Sequence, residues 1–119
     1  MVDIIGGGEA KAQKMYDLTV AAGYFAIDLS KYAAFNFRFT CVGSEELTLS
    51  NPPIGVSVLR FLITDGGAAT DLVMPTIHEA GGTELTFTAS GLDYLELTCI
   101  NDGTTVTYYQ TNLLQAIAD

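Results

Sequence analysis

Few residues of this chain could do chemistry, and their surroundings argue against most of the possibilities. His78 is the single histidine and so the one ready general base near neutral pH. It stands in "MPTIHEAGG", a turn-rich stretch without a nucleophile motif, and is expected to be an exposed loop residue. Glu45 and Glu46 resemble the two carboxylates of a glycosidase in type only. Neighbours on a strand point to opposite faces and cannot flank one bond, so the pair is expected to keep a strand entrance soluble. Asp65, Asp71, Asp93 and Asp102 are expected in turns, without the ligand spacing of an EF-hand or a β-roll repeat. Cys41 and Cys99 are the only cysteines. Two lone thiols make a poor zinc site, and both are expected to be reduced, buried packing groups. Gly6-Gly7-Gly8 lacks the residues that make a phosphate cradle and reads as a hinge. The reading is a protein that is not an enzyme and takes no metal or cofactor.

Charge narrows the partners further. Fourteen acidic against five basic side chains leave a net charge of −9, which repels phosphate backbones and anionic lipid heads. Nucleic acid and membrane are therefore not expected as partners. The chain has no apolar run of membrane-spanning length, and its start lacks the pattern of a signal peptide, so synthesis and folding in a cytoplasm are expected. A hydrophobic fraction of 49% is high for 119 residues, and some of that surface is expected to face another protein.

The elements that would position these groups read as strands. Phe25, Ile27 and Leu29 alternate with Ala26 and Asp28. Phe35, Phe37, Phe39 and Cys41 alternate with Asn36, Arg38 and Thr40. In "VSVLRFLIT" both parities are largely apolar, as in a strand covered on both faces or interrupted by a bulge. "NDGT" at 101–104 is a hairpin signal of the type I′ kind. "GSEELTLSNPPIG" at 43–55 has a near-copy in "GGTELTFTASGLD" at 81–93, and "LITDGG" is echoed by "CINDGT". The duplication predicts two similar hairpins packed in one antiparallel β-sandwich or flattened barrel, jelly-roll-like, over residues 16–119. Residues 1–15 read as an N-terminal arm.

From 47 to 109 the line "LTLSNPPIG … LRFLITDGG … LVMPTIHEAGGTELTFTASGLDYLELTCINDGTTVTYY" resembles a β-rich module of the virion structural proteins of tailed bacteriophages. The resemblance implies a capsid decoration, or cement, protein on the head surface, binding the major capsid protein and associating as a homotrimer. The alternative it implies is a receptor- or glycan-binding module of a tail fibre or tail tip. Met74 stands where that module often has an aromatic residue, and the chain has no Trp, which argues against sugar reading. The residues expected at a capsid or subunit interface are Val2, Ile4 and Ile5 in the arm, with Tyr109, Leu113 and Leu114 near the C-terminus.

Overall fold

The computed structural model describes residues 12–21, 23–68, 72–79 and 85–117. Within them the strands are β1 (Tyr16–Asp17), β2 (Tyr24–Asp28), β3 (Asn36–Thr40), β4 (Glu46–Ser50), β5 (Gly55–Thr64), β6 (Leu92–Asn101) and β7 (Val106–Ile117). Five form one sheet in the order β1-β3-β5-β6-β7, and β2 and β4 form a second. The strand-rich expectation holds, and among the described residues strand pairing begins at Tyr16. Val2, Ile4 and Ile5 lie outside the described residues.

The expectation of purely antiparallel pairing is corrected. β1 runs parallel to β3, β3 to β5 and β2 to β4, while β5–β6 and β6–β7 are antiparallel. The chain alternates between the sheets, with β1, β3 and β5 in the larger and β2 and β4 in the smaller. Each parallel neighbour is thus reached through a strand of the other sheet, where a helix would ordinarily make the crossover.

Alternation explains the core. Phe25 and Ile27 of β2 and Leu47 of β4 join Phe37 and Phe39 of β3, Leu59, Phe61 and Ile63 of β5, and Leu95, Leu97 and Cys99 of β6 in one buried cluster. Phe25 stacks on Phe39 at 4.3 Å, and Phe61 meets both Phe37 and Phe39. A two-stranded sheet is marginal alone, so β2 and β4 owe their stability to this packing. β5 is central, as its apolar character predicts, but only its odd-numbered core residues are fully buried, and Val58, Arg60 and Leu62 remain partly exposed.

The sequence duplication does not become two hairpins. Its first copy supplies β4, which pairs with β2 and not with β5. In the second copy residues 85–88 form no ladder, although Phe87 is buried and Leu85 packs against the core. The apolar letters keep their inward role without ladder pairing, and Asp93 accepts from the Thr88 backbone N–H at 2.7 Å. The predicted hairpin at "NDGT" forms between β6 and β7, but with a four-residue loop rather than a type I′ turn. Only Gly103 there has positive φ. Asp102 Oδ1 accepts from Thr105 N at 2.7 Å and Thr104 N at 2.9 Å, which closes the longer loop and holds its carboxyl below the usual range.

Candidate functional site

The groups able to do chemistry are dispersed, and several serve the fold. Glu45 is buried, contrary to its expected role as a solvating residue. Its carboxylate turns back to accept from Val42 N at 2.7 Å and Gly43 N at 2.9 Å, closing a turn in which Gly43 and Ser44 both have positive φ. Asp93 lies in β6 rather than in a turn and is completely buried. Asp65 is in a turn as expected and accepts from Gly91 N at 2.9 Å. Asp71 lies outside the described residues. Among the described residues no group of three or more His, Cys, Asp or Glu is placed to hold a metal ion, and no helix is long and apolar enough to cross a membrane.

Both cysteines are buried and free. Burial, with a further contribution from the Glu45 and Asp65 carboxylates, pushes the Cys41 thiol up to about 12. Burial likewise raises Cys99. A neutral buried thiol is a poor nucleophile. Ellman's reagent at pH 8 is therefore expected to leave both thiols unmodified in the folded protein and to titrate both in denaturant. Rapid reaction of either native thiol would contradict the packing role. Replacing both with Ala is expected to cost about 1–3 kcal/mol.

The face of the larger sheet opposite the core carries exposed apolar residues in adjacent rows, while Val42, Ile54, Val73 and Tyr24 are exposed outside those rows. The ladder register sets the face out. Val56 pairs with Ile100 and that with Thr107. Val58 pairs with Thr98 and that with Tyr109. Arg60 pairs with Glu96 and that with Asn112, and Leu62 pairs with Tyr94 and that with Leu114. Val56 is 69% exposed, Leu114 52%, and Tyr109 and Ile100 39% each. Arg60 lies 3.5 Å from Glu96 in the middle of the face, and Tyr94 donates to Glu96 at 2.9 Å. At the β1 side Arg38 holds Asp17 through two contacts, of 2.6 and 3.1 Å.

Both flanks of this face are built up. His78 is exposed, as expected, yet it is not free of structure. Its backbone accepts from Gln110 N and donates to Tyr108 O, both at 2.9 Å, and its ring stacks on Tyr109 at 5.2 Å. On the other flank the Asn36 amide donates to Gln13 Oε1 and Lys14 O, which holds residues 13–15 beside the sheet. Between them and Tyr94 lies an open groove of about 370 Å³, lined also by Met15, Phe37, Arg60, Phe61 and Leu62. Apolar walls with one guanidinium suit an apolar side chain, and no lining residue is a nucleophile or a carboxylate.

Of the interface residues expected from sequence, Tyr109 and Leu114 lie on this face, whereas Leu113 packs against the core. Sequence reading missed Val56, Ile100, Leu62 and Tyr94. The signal for them was the apolar even-numbered parity of "VSVLRFLIT" and of "LDYLELTCI". No protein-family model, curated protein or solved structure matches this chain.

Proposed function

We propose that this chain is a non-catalytic structural protein of a virion, folded as a two-layered β-sandwich, that decorates the head of a tailed bacteriophage. In this reading it works through protein contacts, to copies of itself and to the major capsid protein, and the open face of its larger sheet is one of the contact surfaces. The observation that carries the proposal is that Val56, Ile100, Tyr109 and Leu114 lie exposed on one continuous face of three paired strands, in a chain whose net charge of −9 otherwise favours solvation. Buried apolar centres with few charges are what protein interfaces use. The resemblance of residues 47–109 to phage virion modules supplies the setting.

Quantifying this chain in purified particles tests the setting. A decoration protein is present in hundreds of copies. A few copies would favour the tail-tip alternative, and none would overturn both. The surface is tested by Val56→Glu, which lies at a highly exposed position and is expected to preserve the β-sheet circular dichroism while weakening rebinding to particles stripped of the protein. Unchanged rebinding would remove the sheet face from the proposal.

A further inference from the structure

We infer that the open sheet face is occupied by a second copy of this chain, related by a two-fold axis that runs along the strands midway between β5 and β6. The inference rests on the reading of this face as the working surface and names its occupant. An isologous contact needs a patch that complements itself, residue i meeting j and j meeting i. This face meets that condition about the line between β5 and β6. Arg60 and Glu96 flank the line at its middle, Val56 and Ile100 flank it at one end, and Leu62 and Tyr94 at the other.

Turning a second copy over about that line lays β5 of each on β6 of the other. Arg60 of one copy then faces Glu96 of the second, twice over. Val56 falls on Ile100 and Leu62 on Tyr94. The same rotation brings Leu114, half exposed in one copy, to the place in β3 that pairs with Leu62, that of Arg38. A two-fold axis across the strands would instead set Arg60 on Arg60, so charge selects between the two arrangements. Aligned sheets cross at about 30° through their twist, and the central row stays in contact at that angle.

Charge favours a second copy, and the area is that of a small interface. Among the described residues, the acids on this face are Asp17 and Glu96, each beside an arginine, so two copies can meet here without the repulsion expected elsewhere on so acidic a chain. β3, β5, β6 and β7 hold 5, 10, 10 and 12 residues, and with β7 of each copy over the shorter β3 of the other, the overlapping strands at about 3.3 Å per residue and about 4.8 Å spacing present about 480 Å² per copy. A pair would bury about 950 Å², close to the roughly 1,000 Å² of a specific interface.

The test is sedimentation at micromolar concentrations of wild type, Arg60→Glu, Glu96→Arg and their mixture, with circular dichroism as the control for folding. Wild type is expected at twice the 12.7 kDa chain mass. Each single variant carries like charges at the central row of a self-pair and is expected to associate at least about a hundredfold more weakly. Mixed, the variants restore both opposite-charge contacts, and a heterodimer is expected to form. Val56→Glu, which stays clear of the ion pair, is expected to be a monomer. A monomeric or trimeric wild type overturns the inference, as does a mixture in which the variants ignore each other. If wild type is monomeric while Val56→Glu still loses attachment to stripped particles, the face is a working surface with another occupant. Self-pairing that survives every face variant overturns the inference, and rebinding to stripped particles then decides whether the face is a working surface.

Discussion

Phe61→Ala is expected to lower the unfolding free energy by about 3–5 kcal/mol. Phe61 is fully buried at the middle of β5, flanked by β3 and β6, with ring contacts to Phe37 at 5.7 Å and Phe39 at 6.5 Å. Through Phe39 those contacts reach Phe25 of the smaller sheet. Truncation loses the transfer free energy of the ring and leaves a cavity that central strands cannot close, because ladder hydrogen bonds on both sides fix their positions. A loss of this size is a large share of the stability of a small domain. Val42→Ala, at a side chain 79% exposed, is the control and is expected to change stability by less than about 0.5 kcal/mol. Urea unfolding of the two variants checks the contrast. Equal midpoints would mean that Phe61 is not the centre of the core.

Asp93→Ala is expected to cost about as much, through polar rather than apolar loss. The buried Asp93 carboxylate accepts from Thr88 N at 2.7 Å, Thr88 Oγ1 at 2.6 Å and Ala116 N at 2.9 Å. It therefore ties β6 both to the segment after Phe87 and to the end of β7. Removing it strands three donors, each costing about 1–3 kcal/mol if it stays dry. Partial hydration brings the expected total to about 3–5 kcal/mol. Asp93→Asn keeps the shape and one acceptor oxygen and is expected to cost about 1–3 kcal/mol. Native-state hydrogen exchange separates this account from a general weakening of the fold. The Thr88 and Ala116 amides should lose protection in both variants by more than the β5 amides do. Uniform loss across the sheet would count against the local tie.

The outer face and the buried Asp93 carboxylate both depend on register shifts between β6 and β7. A bulge adds one residue to a strand and so exchanges the faces of everything beyond it. β7 shifts register against β6 between Glu96 and Leu97. Tyr108 on one side of the shift is buried, and simple alternation from it would turn Leu114 inward and Leu113 outward. The structure does the reverse, with Leu113 against the core and Leu114 half exposed. The second shift, between Leu92 and Tyr94, leaves Asp93 without a ladder partner in β7 and aims its carboxylate at the Ala116 N–H. No periodicity in "TYYQTNLLQ" announces either shift.

What the sequence by itself determined is what depends on local geometry. Period-two alternation identifies the strands and selects Phe25, Ile27, Leu29, Phe37 and Phe39 as inward residues, because successive side chains on any strand point opposite ways, whatever the partner. The burial of Cys41 and Cys99 and the hairpin at "NDGT" follow from the same local rules. Tertiary structure alone decided which strands pair and in which direction, since an alternating strand can join parallel or antiparallel neighbours equally well by its own pattern. It also decided that Glu45 and Asp93 are buried. A carboxylate goes inward only where backbone N–H groups from distant or tightly turned segments converge on it, and the donors from Val42, Gly43, Thr88 and Ala116 are brought together by the fold. The candidate surface belongs to the same category. Its residues come from β5, β6 and β7, and only their register places Arg60 beside Glu96 and sets Val56, Ile100, Leu62, Tyr94 and Leu114 around that pair.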